Sequence, residues 1–139
     1  MYLDRFNYYV EGRAFEWVLA LSMLMISVEV FIWPDMMKTG AFSIVIMMVS
    51  THTVGVVLFL LGWAKCAGLM LNGQSVAGVK AGPYIRAGAS VLSSIMWGQF
   101  TLAVLRISIE RGRPSVILSM LFMFTIGEIY VAYTTVKNA

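Results

Sequence analysis

An all-α fold is predicted from this sequence: an integral membrane bundle of four transmembrane helices with a short N-terminal interfacial helix. Three observations predict it. Of the 139 residues, 60% are hydrophobic and 12% charged, and the mean hydropathy is +0.83; soluble domains are about half apolar and about a quarter charged. The apolar residues gather into four stretches, each near the roughly 20 residues that cross a hydrocarbon core. Between them lie segments rich in Pro, Gly and charge, which end helices. A single domain, residues 1–139, is expected, with spans at about 15–33, 41–63, 84–105 and 114–136, and a longer loop or interfacial extension at 64–83.

In chain order, "MYLDRFNYYVEGRA" sets Leu3, Phe6 and Val10 at helical spacing, with Asp4, Arg5 and Glu11 elsewhere around the turn. That is the pattern of a helix lying in the interface. The first span reads as a retained helix rather than a signal peptide. It runs into "WPDMMKTG" without a small-x-small cleavage site, and further spans follow. Pro34 and Gly40 in that segment separate the first two spans. Asn72-Gly73 marks a turn in the longer middle connection. The third span is the least apolar, being rich in Gly, Ala and Ser. "RISIERGRP" ends it, with Pro114 suited to the first turn of the fourth.

Basic residues bear on orientation. Arg5, Arg13, Lys65, Lys80, Arg86 and Lys137 fall on one side, and Lys38, Arg106, Arg111 and Arg113 on the other. The positive-inside rule then places both termini in the cytoplasm, as expected for a protein of a bacterial inner membrane. The formal net charge of +3 is too small to imply a nucleic-acid groove, and the single cysteine, Cys66, excludes an internal disulfide.

Polar groups in hydrocarbon are costly and require partners. Four candidates lie away from the membrane ends of the expected spans: Glu29, His52, Gln99 and Glu128. Their depths, at about 1.5 Å per residue, suggest two sets. His52, the only histidine, is expected near mid-span and close in depth to Glu128, as an intramembrane polar pair. Glu29 and Gln99 are expected nearer the far side with Arg106, as an outer ion-pair set. Each set reads either as an interhelical tie or as a functional pair, His52 and Glu128 being suited to proton relay or cation binding. Ser90, Ser94 and Gly98 follow a four-residue spacing that lets helices approach closely, and they form the expected helix-packing face.

Other patterns carry less. Met120 and Met123 share a helix face and are soft donors suited to Cu(I), but no His or Cys cluster accompanies them. "GQSVAGVK" spaces two glycines as a phosphate loop does; yet Val79 precedes Lys80, no Ser or Thr follows it, and no strand comes before. No nucleophile has a nearby base, so no catalysis and no cofactor is expected. The chain is not similar to small four-helix drug exporters beyond an intramembrane glutamate. Their first-helix motif is absent, and Glu29 lies near the far end of its helix.

The expected function is that of a small polytopic membrane protein acting through helix contacts: an accessory subunit, an assembly factor or a virus-encoded membrane protein. Its expected partners are the lipid bilayer and a second copy or another membrane protein. The alternatives are a proton- or cation-coupled transporter or channel using His52 and Glu128, and a holin-like permeabilising protein.

Overall fold

The computed structural model describes residues 13–38, 43, 49–71, 81–113 and 115–137. The N-terminal interfacial helix expected at residues 1–14 lies almost wholly outside them. The described residues form four long helices and one short 3₁₀ turn: α1 (Ala14–Ile32), the turn (Pro34–Lys38), α2 (Thr51–Met70), α3 (Ala81–Arg111) and α4 (Val116–Lys137). All four helices are long and apolar enough to cross a membrane.

Local chemistry sets most of the helix ends. Residues preceding proline are pushed out of the helical region. Accordingly Trp33, before Pro34, takes φ −126° and ψ 66°, and its N–H closes α1 on the Glu29 carbonyl at 2.8 Å. Ser50 caps α2 in extended geometry, its hydroxyl accepting from the Thr53 N–H at 3.2 Å. At the end of α3, Gly112 takes φ +62°, a left-handed conformation that suits glycine. The Gly112 N–H reaches the Ile109 carbonyl and the Arg113 N–H the Ser108 carbonyl, the two bonds of a Schellman closure.

Two helices differ from the expected spans. α2 is described from Thr51, residues 44–48 of the expected second span lying outside the described residues, and it runs seven past Trp63. The Ser50 cap sets the start of this helix at Thr51. The longer run is tolerated because Lys65, read from the sequence as outside the membrane, is neutralised inside the protein. α3 has 31 residues, about 46 Å at 1.5 Å per residue, and extends past both ends of its expected span.

Consecutive helices are antiparallel neighbours: α1 packs on α2, α2 on α3, and α3 most extensively on α4, while α1 and α4 touch over a short length. The core is centred on Trp97, whose ring lies 5.9 Å from Phe100 and 5.3 Å from Phe124. Met23, Val54, Leu58, Leu61, Val104 and Leu121 close around it. Such aromatic contacts add to the area that their burial removes from water or lipid. The outer faces carry large exposed apolar side chains on every helix, among them Met25, Leu60, Leu102 and Phe122.

Close approach of α2 to its neighbours depends on glycine. A Cβ on Gly62 would lie 2.8 Å from Leu24 on α1, and one on Gly68 would lie 2.7 Å from the Arg86 stem on α3. The expected packing face is only partly used. Ser90 is fully buried, but Ser94 and Gly98 are half-buried, and a Cβ on Gly98 would meet only Thr125 Cγ2, at 3.9 Å. The buried face of α3 runs instead through Ala89, Ser90, Ser93, Trp97, Phe100 and Val104. It mixes small with large residues, so the tightest helix contacts fall elsewhere.

Candidate functional site: a buried four-charge cluster

Each helix has one buried stripe, and at one end of the bundle each stripe carries a charge. On α1, Glu16 is in register with Leu19, Ala20, Met23 and Ser27. On α2, Lys65 continues Leu58, Leu61 and Gly62. On α3, Arg86 precedes Ala89, Ser90 and Ser93, and on α4, Glu128 lies seven residues from both Leu121 and Thr135. Steps of three, four and seven keep residues on one helix face. The antiparallel order brings the start of α1, the end of α2, the start of α3 and the end of α4 to the same level.

Two ion pairs result. Lys65 Nζ donates to both carboxylate oxygens of Glu128, with the two side chains 3% and 0% exposed. The fully buried Ser90 hydroxyl lies beside the same carboxylate, outside strict hydrogen-bond geometry. Arg86 grips Glu16 with two donors: Nε reaches Oε2 at 2.9 Å and Nη2 reaches Oε1. Arg86 Nη2 also donates to Thr135 Oγ1 at 3.3 Å. Glu16 is close enough to attract Lys65 and repel Glu128. The four charges therefore act as one cluster of zero net charge, drawing one carboxylate or cation from every helix.

Isolated charges at this burial would cost several kcal/mol each in lost hydration. Mutual pairing offsets that cost only where the donors and acceptors are matched. The matching here is specific: a planar guanidinium spans two oxygens of one carboxylate, and an ammonium sits between two oxygens of the other. Arg86→Lys keeps the charge but loses the fork and the reach to Thr135. It is expected to lower stability by about 1–2 kcal/mol, read as a lower midpoint of thermal unfolding in detergent. An unchanged midpoint would mean that the bidentate contact contributes nothing.

The structure does not bring the expected sets together. His52 lies in the first turn of α2 and is exposed. It is 13 residues from Lys65, about 20 Å along the helix, so Glu128 meets Lys65 instead. The Ser50 cap puts His52 in the first turn of α2, about three to four turns from the level at which α2 meets Glu128. Arg106 Nε donates to Glu110 Oε1 at 3.0 Å on its own helix, both side chains being well exposed, 69% and 58%. Glu29 and Gln99 are exposed on α1 and α3. A partner four residues away requires no helix docking, so Arg106 takes the local carboxylate.

Glu16, Lys65 and Arg86 were missed as site residues because the span estimate set them at or beyond the membrane ends. Their positions on the apolar stripes were the available signal. The same finding removes the basis for orientation. Lys65 and Arg86 are buried between helices rather than held in loops, and without them four basic residues remain on each side. The basic-residue count then favours neither direction. Among the described residues, no three His, Cys, Asp or Glu side chains gather in a metal-binding group. Met120 and Met123 are both exposed on α4. No protein-family model, curated protein or solved structure matches this chain.

Proposed function

We propose that the chain is an integral membrane protein of four spans that acts through helix contacts, as an accessory or assembly component without catalysis. One observation carries this reading: the charge cluster closes on itself and ties all four helices. Each carboxylate is held by a cation of a different helix, which suits a lock on helix arrangement better than an open ligand site. The exposed apolar faces then supply the contacts with lipid and partner helices.

The test is isolation of the full chain from membranes in mild detergent or nanodiscs, with its mass measured and copurifying proteins identified. A defined assembly that does not move protons or cations after reconstitution is the expected result. Flux that follows a pH gradient would overturn the reading.

A second reading keeps the ion-coupled class but moves its centre from His52 to the Lys65–Glu128 pair. The burial of two ionisable groups inside apolar helices favours it, because intramembrane charges commonly mark ion pathways. Under it, Lys65→Met combined with Glu128→Met would abolish flux while leaving the fold intact. Under the first reading the same double variant retains assembly.

A further inference from the structure

We propose that the chain is a pair of helical hairpins, α1–α2 and α3–α4, that pivot on the charge cluster and part at the opposite end. The proposal rests on the membrane reading above and gives the charge lock a place in a motion. α1 packs most extensively on α2 and α3 on α4, with a lesser seam between α2 and α3 and a short contact between α1 and α4. Inside each hairpin the ties are spread along the helices. Gly62 and Gly55 of α2 lie against Leu24 and Phe31 of α1, and the Thr101 and Thr125 hydroxyls of α3 and α4 lie 3.2 Å apart. The Trp97–Phe124 ring contact also falls inside the second hairpin.

Contacts from one hairpin to the other are distributed differently. Both buried ion pairs cross between the hairpins, Lys65 of α2 with Glu128 of α4 and Glu16 of α1 with Arg86 of α3. The closest approaches between the hairpins sit at the same end. A Cβ on Gly68 would meet Arg86, one on Gly82 would lie 3.0 Å from the Leu71 carbonyl oxygen, and one on Gly127 would lie 2.6 Å from the Phe15 ring. About two turns further in, the Ser93 hydroxyl donates to Met23 Sδ, a weak acceptor, at 3.4 Å. Beyond that level, among the described residues of the four helices, the hairpins share apolar core only: Val30, Val54 and Leu58 with Phe100, Val104 and Leu121. Towards the start of α2 a groove of about 360 Å³ separates it from α3, lined by side chains such as Val54, Val57, Ile95 and Phe100.

That asymmetry matters in hydrocarbon. In water, burial of those apolar side chains would hold the far ends shut at about 25 cal/mol per Å². Acyl chains are as apolar as the side chains, so parting exchanges one apolar neighbour for another, and only packing resists it. Polar ties keep their value, since breaking one leaves a donor or acceptor that lipid cannot satisfy. The end that carries both ion pairs therefore stays closed and forms the axis. The apolar end is the one that opens, as rigid bodies turn about a few fixed contacts in a hinge.

The test is distance measurement by electron paramagnetic resonance on the full chain in nanodiscs, with Cys66→Ala and a spin label on each of two introduced cysteines. Three pairs of exposed positions are compared. Ile32→Cys with Ile117→Cys spans the hairpins at the apolar end, Val18→Cys with Tyr130→Cys spans them at the cluster end, and Leu102→Cys with Phe122→Cys lies inside the second hairpin. The first distance distribution is expected to be roughly twice as wide as the other two. Glu16→Gln combined with Arg86→Gln is expected to widen the Val18–Tyr130 distribution, because the pivot loses a tie without a stranded charge. Equal widths for the three pairs, a greater width at the cluster end than at the apolar end, or no widening in the double variant would each overturn the proposal. Alkaline carbonate extraction separates the two failures. A chain retained in membranes with equal widths defeats only the hinge; a chain released from them defeats the membrane reading and the hinge with it.

Discussion

Replacing Lys65 with Met is expected to cost about 3–5 kcal/mol of stability. The cost comes from what remains. Glu128 would stay fully enclosed, with Ser90 beside it and the Glu16 carboxylate as a like-charged neighbour. Changing Glu128 to Met as well removes the stranded charge, and the double variant should recover most of the loss. Chemical unfolding in detergent, followed by tryptophan fluorescence, gives both numbers. The coupling energy is the difference between the double variant and the sum of the single ones. Additive losses would show that Lys65 and Glu128 do not stabilise one another.

Gly68→Val is expected to be nearly as harmful, at about 2–3 kcal/mol. A Cβ at this position would lie 2.7 Å from Arg86 Cγ and 3.2 Å from the Arg86 backbone nitrogen, on the helix that packs against it. The first contact shifts the stem that aims the guanidinium at Glu16, and the second forces the backbones of α2 and α3 apart. The loss should therefore appear in stability and in the Glu16–Arg86 pair together. Gly98→Ala is the control, because its Cβ meets only Thr125 Cγ2 at ordinary contact distance. Equal midpoints for the two variants would mean that α2 and α3 do not approach closely at Gly68.

The charge cluster was legible in part. Glu128 stood out because it lies deep in an apolar run, and that judgement depends on the residue and its near neighbours alone. Its partner did not, because Lys65 follows Trp63, where the expected second span ended. The cap at Ser50 sets His52 in the first turn of α2, so the helix offers Glu128 the ammonium of Lys65 instead. Glu16 and Arg86 were placed at membrane ends, where charge is ordinary and asks for no partner.

The four apolar helices, and the stops at Pro34 and Gly112, were determined by the sequence by itself. Apolar length, proline geometry and a left-handed glycine each act within a few residues, so no distant contact is needed to decide them. The ion-pair partners were decided by the tertiary structure alone. Which faces meet depends on how each helix is rotated and offset against its neighbour, and a rotation of one residue, about 100°, would turn Lys65 away from Glu128. Close contacts at Gly62 and Gly68 hold α2 at one rotation and one height. That is why Glu128 meets an ammonium from α2 rather than the imidazole that lies about 20 Å further along the same helix.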